Sequence, residues 1–159
     1  MRAIAFAMVG AVALISACSP QSSPSFDPQD PEVVAIIDSL MVATMEAAAA
    51  VDPVRVLANA GGGDDFTLVT GDVMLTGIQT VQDAFTETYD GLLSQEQTMY
   101  EIRTRLLGPD VAVFSAVSEG VYTDKAGWTS EPVGLGITVV FVREDGRWTA
   151  RHVHQSVAK

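Results

Sequence analysis

Residues 146–156 read GRWTARHVHQS and follow Asp145. An Asp-Gly pair between two runs of β-branched and aromatic residues is typical of a tight hairpin turn, so residues 135–143 and 147–157 are predicted to form antiparallel strands. His152 and His154 are the only histidines of the chain. In a strand, residues at this spacing point to the same face, so the function depends on what that face contacts.

The length of the hairpin loop decides which face that is. With a two-residue loop, Asp145-Gly146, Trp148 and both histidines share a face with Phe141. With a three-residue loop that begins at Glu144, they share a face with Thr138. A slip of one residue exchanges the two faces, and the sequence alone leaves both registers open. Our prediction uses the three-residue loop and places Trp148, Thr138 and both histidines on the concave face of the sheet.

Helix signals fill the N-terminal half of the chain. Asp30-Pro31 combines an N-cap residue with a proline in the first turn, and apolar residues at helical spacing predict a long helix that ends near Val51. A short helix is predicted from Asp52-Pro53 to the glycines at 61–63, and a third helix follows Thr76-Gly77. The other predicted strands are residues 66–70, 98–107 and 111–123. Helices followed by a strand meander indicate an α+β domain in which a curved antiparallel sheet wraps around about three N-terminal helices.

The chain begins with the pattern of an export signal. Residues 1–17 contain Arg2, an uncharged apolar run and small residues before Cys18, and the run is too short to span a membrane. The residues that precede and include Cys18 are similar to the lipobox of bacterial lipoproteins, in which this cysteine is acylated. Cys18 is also the only cysteine. We therefore expect lipidation of Cys18 and export to the bacterial cell envelope, with the protein anchored in a membrane and facing the periplasm.

The rest of the chain divides into a tether and one domain. Residues 18–30 are rich in Ser, Pro and Gln and are predicted to be a flexible, lipid-anchored tether. Residues 31–159 are long enough for a single domain with its own core. The formal net charge is −11, which argues against nucleic-acid binding, because phosphate contacts require a basic surface.

The order of these elements and the tail of the chain resemble a known superfamily. The tail carries the pattern D-G-x-W-x-x-x-H-x-H-x-S at residues 145–156, with Thr138 on the preceding strand. It resembles the nuclear transport factor 2-like (NTF2-like) superfamily, specifically its SnoaL-like and DUF4440-type members. It is also similar to the association domain of calcium/calmodulin-dependent protein kinase II. The resemblance covers residues 31 to 157.

The resemblance implies a cone-shaped, cystatin-like fold with a pocket between helices and sheet. It also implies tail histidines that point toward this pocket and an outer sheet face that forms a homodimer. The same fold hosts isomerases, hydratases, cyclases and non-catalytic modules. The kinase association domain holds anionic ligands with strand arginines, and the positions that look equivalent here are Ser118 and Val139. An anion site of that type is therefore not expected.

The candidate catalytic residues are His154, His152 and Asp72. An imidazole paired with Asp72 or Glu119 could perform acid-base chemistry of the SnoaL type. Two histidines supply only two of the three or four ligands that zinc requires, so no metal site is expected, and no cofactor is expected either. The interpretation favoured over catalysis is that one histidine is a hydrogen-bonded core residue and the other lines a pocket.

We therefore predict an exported, lipid-anchored NTF2-like domain with a small apolar pocket. Its role would be that of a binding or assembly module for an unknown small organic ligand, with a SnoaL-type isomerase, dehydratase or cyclase as the alternative. Trp128 lies in a loop and is either a pocket lid or a packing residue. The residues predicted to line the pocket are Trp148, His152, His154, Thr138, Tyr122 and Trp128.

Overall fold

The computed structural model describes residues 26–157, so the predicted signal peptide and Cys18 lie outside the described part of the chain. Two α-helices are present, α1 (Pro31–Ala49) and α2 (Ile78–Asp90). The strands are β1 (Thr67–Thr70), β2 (Val73–Thr76), β3 (Leu92–Gly108), β4 (Val111–Asp124), β5 (Val133–Glu144) and β6 (Arg147–Val157). Within these residues, no helix is both long and apolar enough to cross a membrane.

Helix α1 begins where the sequence predicts. The Asp30 carboxylate accepts hydrogen bonds from the backbone N–H of Glu32 at 3.0 Å and of Val33 at 3.5 Å, and Pro31 occupies the first turn. The predicted second helix is reduced to one 3-10 turn, Arg55–Leu57, followed by another at Gly63–Asp65. The few residues between Asp52-Pro53 and the glycines are too short a segment to offset the cost of helix nucleation.

The six strands form one curved sheet in the order β2-β1-β6-β5-β4-β3. All neighbours are antiparallel except β1 and β6, which are parallel. One face of the sheet, called here the concave face, packs against the helices and carries Phe114, Ile137 and Phe141. The opposite, outer face carries residues such as Val113, Thr138 and Val140, which are only partly buried. The α+β cone predicted from the sequence is confirmed.

The concave face is covered by two hydrophobic clusters. Helix α1 contributes Ile37 and Met41 to the larger one, which includes Trp148 at 7% exposure. Helix α2 contributes Val81 to the smaller one, together with Phe66 and Leu68. A short hydrogen bond of 2.6 Å, from the Thr104 hydroxyl to the Asp38 carboxylate, also joins β3 to α1. The two helices are thus fixed against opposite parts of the sheet, with space between them.

The β5–β6 hairpin differs from the predicted register. Glu144 pairs with Arg147, so Asp145 and Gly146 form a two-residue loop with φ values of 50° and 77°, as a type I′ turn requires. The prediction of a three-residue loop is therefore wrong. Trp148 lies on the concave face, but it shares this face with Phe141 and not with Thr138, as the two-residue register requires.

A β-bulge in β6 then changes the alternation. Phe141 pairs with Ala150 and Val140 pairs with His152, so Arg151 is an extra residue with no partner on β5. Beyond the bulge, Val153 pairs with Val139 on the concave face. Both histidines consequently lie on the outer face with Thr138 and Val140. The prediction that they share the concave face with Trp148 is wrong, because it assumed unbroken alternation.

Candidate functional site

A cavity of about 340 Å³ lies between α1, α2 and the concave face of the sheet. Apolar side chains from both helices and from four strands form most of its wall, including Met41, Phe85, Leu135 and Val153. This volume lies within the range of small-molecule pockets in proteins, which are mostly apolar with a few polar groups. The cavity is therefore the candidate binding site of the chain.

The cavity wall contains no Asp, Glu, His, Lys or Arg side chain among the residues that the structure describes. Its polar side chains are hydroxyls and amides, and they are Thr44, Asn59, Thr70, Thr88, Tyr89, Gln95, Gln97 and Gln155. A charged ligand would lose its hydration here without gaining a partner of opposite charge, which is costly in an apolar site. The electrostatics of the cavity thus favour neutral molecules.

Most of these polar groups are already held by the protein. The hydroxyls of Thr44 and Thr88 donate to carbonyls one turn earlier in their own helices, at 2.9 and 2.8 Å. Asn59 donates to the Leu40 carbonyl at 3.3 Å. The Gln97 amide donates to the hydroxyl of the fully buried Ser118 at 2.9 Å. These bonds fix the wall of the cavity and leave few groups free for a ligand.

Tyr89 and Gln95 form the polar contact between α2 and β3. The Gln95 amide nitrogen donates to Tyr89 Oη at 3.1 Å and to the Ala48 carbonyl at 2.8 Å. Burial raises the pKa of Tyr89 above its ordinary value of 10.0, and the hydrogen bond from Gln95 offsets part of that rise. The ring of Phe85 packs beside Tyr89 with centroids 5.4 Å apart. The hydroxyl therefore stays protonated at neutral pH within an aromatic wall.

The two histidines lie on the other side of the sheet. The Nδ1 atom of His152 is 2.8 Å from the Thr67 hydroxyl, on the neighbouring strand β1. The exposed His154 borders a shallower depression of about 270 Å³ on the outer face, together with Glu101, Ser115 and Thr138. Neither histidine lines the large cavity. The six residues predicted for the pocket are thus absent from its wall, although His154 and Thr138 share the outer depression.

The three aromatic residues predicted for the pocket lie in two other places. Tyr122 and Trp128 pack edge to face at 5.7 Å near the β4–β5 loop and remain 39% and 56% exposed. Trp148 is buried under α1, and the guanidinium of Arg143 lies 5.5 Å from its ring. The loop pair is therefore a surface contact, and Trp148 belongs to the hydrophobic core.

The acidic residues predicted as partners of the histidines are also exposed and outside the cavity. Asp72 occupies the turn between β1 and β2, and Glu119 lies on the outer face of β4. No group of three metal-binding side chains occurs within residues 26–157. The cavity therefore lacks an acid-base pair built from the candidate residues.

The polar residues of the cavity were missed because β3 begins earlier than predicted. The alternation of Gln95 and Gln97 within LLSQEQT, residues 92–98, is a period-two signal that points both amides to one face. Tyr89 occupies the apolar stripe of the helix that follows Thr76-Gly77. Together, these two signals would have made Gln95, Gln97 and Tyr89 candidates for the polar lining of the pocket.

A family comparison agrees with this architecture. The sequence model of the calcium/calmodulin dependent protein kinase II association domain matches residues 68–159, more than half of the chain. No protein with a curated description matches the chain.

Solved structures show the same fold. An NTF2-like superfamily protein from Salmonella enterica is 14% identical, with a TM-score of 0.72 over 80% of this chain and 93% of its own. A protein with a cystatin-like fold from Caulobacter vibrioides is 20% identical, with a TM-score of 0.68 over 80% of this chain and 91% of its own. A hexachlorocyclohexane dehydrochlorinase from Novosphingobium barchaimii is 12% identical, with a TM-score of 0.69 over 80% and 88%. These TM-scores establish a common fold.

Proposed function

The chain belongs to the calcium/calmodulin dependent protein kinase II association domain family, within the NTF2-like superfamily, and we propose that its cavity binds a small, neutral and largely apolar molecule. The observation that carries this proposal is a cavity of about 340 Å³ whose described wall has no charged side chain. Binding would remove the apolar surface of such a molecule from water, at roughly 25 cal/mol per Å².

The alternative of histidine acid-base catalysis has less support. Proton transfer requires the acid or base within hydrogen-bond reach of the substrate, about 3 Å. His152 and His154 face away from the cavity, and the sheet separates them from any molecule bound there. A reaction in the cavity would have to use Tyr89 or an amide.

Filling the cavity tests the binding proposal. Ala84 lines the cavity from α2, whereas Ala43 is exposed on α1. We expect Ala84→Phe to weaken binding of the neutral dye N-phenyl-1-naphthylamine at least tenfold in fluorescence titrations. The matched control Ala43→Phe should bind as the unmodified protein does. Equal binding by both variants would show that the dye binds elsewhere.

Self-association through the outer face is a second proposal, supported by apolar side chains that this face leaves accessible. Tyr100 and Val117 pair with each other and are 45% and 39% exposed, and Val113 and Val140, a half-buried pair, lie on the same face. A face of this composition is typical of an interface between subunits. In sedimentation experiments we expect the unmodified protein to have twice the mass of one chain. Val117→Glu should reduce this to the mass of a single chain. The control Val42→Glu, at an exposed position on α1, should leave the mass unchanged.

Anchoring through Cys18 is a third proposal, supported by the sequence alone. Two or three acyl chains on one terminus would hold the protein stably on a membrane. We expect Cys18→Ser to move the protein from the membrane fraction to the soluble fraction or to stop its processing, while Ser23→Ala in the tether changes neither. Full membrane retention and processing of Cys18→Ser would contradict the proposal.

A further inference from the structure

The orientation of the Gln95 amide is determined by its partners. Its nitrogen lies 2.8 Å from the Ala48 carbonyl oxygen, which can only accept a hydrogen bond. The same nitrogen lies 3.1 Å from Tyr89 Oη. The two hydrogens of the amide are therefore both used, one on each oxygen, and a flipped amide would place two acceptors against each other.

This arrangement leaves the Tyr89 proton without a protein acceptor. Since Oη accepts from Gln95, its own O–H must donate elsewhere, and the hydrogen bonds of residues 26–157 provide no acceptor for it. Tyr89 is 7% exposed and lines the cavity. A buried hydroxyl donor without a partner is costly, so an acceptor inside the cavity would stabilise it.

We propose that the cavity ligand is a neutral carbonyl compound, a ketone or an amide with a largely hydrocarbon body, whose oxygen accepts the hydrogen bond of the Tyr89 hydroxyl. Gln95 acts as a positioning residue, since its amide donates to Oη and leaves the Tyr89 O–H to donate to the ligand. This inference rests on the proposed function of the cavity and adds the chemical class of the ligand. A carboxylate is disfavoured because the described cavity wall offers no cation to accompany it.

A matched pair of probes tests the carbonyl directly. 1-Tetralone and tetralin share the same fused rings and differ chiefly in one carbonyl oxygen, and both can be titrated against bound N-phenyl-1-naphthylamine. Tyr89→Phe should weaken 1-tetralone about tenfold, the effect of losing one buried hydrogen bond, and leave tetralin unchanged. Tyr122→Phe, which removes a hydroxyl outside the cavity, should change neither affinity.

Gln95→Leu tests the positioning role independently of Tyr89→Phe. It should weaken 1-tetralone but not tetralin, and it should raise the titration midpoint of Tyr89 in carbon-13 NMR, because the phenolate loses a donor. It also serves as the second variant if Tyr89→Phe does not fold. If both probes bind but neither variant changes their affinity ratio, the carbonyl inference is wrong while cavity binding stands. If neither probe displaces the dye from the unmodified protein, the proposed function itself fails.

Discussion

Replacing Gly62 by Ala, and separately Gly63 by Ala, tests how the glycine loop before β1 holds strand β6. Both glycines have left-handed backbone angles, with φ of 88° and 53°. A side chain in that region costs about 1–2 kcal/mol, and both variants share this cost. A Cβ atom at Gly63 would meet open space, but one at Gly62 would lie 2.5 Å from Nε of Arg151. Only Gly62→Ala therefore forces the guanidinium to move.

The movement has a cost because Arg151 is held by Glu144. Its Nη1 atom donates to the two carboxylate oxygens at 2.9 and 2.8 Å. The side chains of this pair are 25% and 56% exposed, so losing it should cost about 0.5–1 kcal/mol. We expect Gly63→Ala to lose about 1–2 kcal/mol of unfolding free energy and Gly62→Ala about 0.5–1 kcal/mol more.

Urea unfolding followed by far-UV circular dichroism measures both losses. In an Arg151→Ala background the guanidinium is absent, so the difference between the two glycine variants should disappear. Equal losses for Gly62→Ala and Gly63→Ala in the unmodified protein would refute the contact. If the two glycine variants still differ in stability without Arg151, the cause of the difference is the backbone conformation.

Three further predictions concern the core, the cavity and the contact between α1 and β3. Trp148→Ala should lower the unfolding free energy by about 3–5 kcal/mol, whereas Trp128→Ala, at an exposed site, should change it by less than about 1 kcal/mol in the same urea assay. Burial raises the pKa of Tyr89 above 10.0, so the unfolded chain loses this phenolic proton at a lower pH than the folded chain does, and stability falls as pH rises above about 10. Thermal unfolding of Tyr89→Phe should lack this part of the decline. Identical pH profiles for the variant and the unmodified protein would contradict this prediction. Thr104→Val should cost about 1–3 kcal/mol by removing the 2.6 Å hydrogen bond to Asp38, and a clearly smaller loss in an Asp38→Ala background would attribute the effect to this bond.

Local signals in the sequence predicted the fold because each acts over a few residues. Asp30 and Pro31 determine the start of α1 through the N-cap and the first turn. Asp145-Gly146 determines a hairpin, since few other residue pairs adopt the two positive φ angles that its turn requires. Both features depend on the backbone preferences of two adjacent residues, which can be read from a single sequence.

The face on which the two histidines lie could not be predicted in the same way, because it depends on an interruption of the regular alternation of side chains along β6. Alternation assigns Trp148, Ala150 and His152 to one face, and no pattern within residues 147–157 indicates that Arg151 is an extra residue. The bulge depends on partners distant in sequence. Ala150 bonds to the backbone of Asn59 and Gly61, whereas His152 pairs with Thr67. The strand changes neighbours at Arg151.

Burial explains why the chain adopts this interruption. With regular alternation, His152 would face the core and Val153 would face outward. With the bulge, Val153 contacts both hydrophobic clusters, and His152 lies at the outer face with its Nδ1 atom 2.8 Å from the Thr67 hydroxyl. Val153 is partly buried and gains a share of the roughly 1.5–3 kcal/mol of a fully buried valine, whereas burying an imidazole without partners costs about 1–3 kcal/mol. Both contributions favour the bulge. The same preference removes both histidines from the cavity, whose wall then consists of apolar surface, amides and hydroxyls, including that of Tyr89.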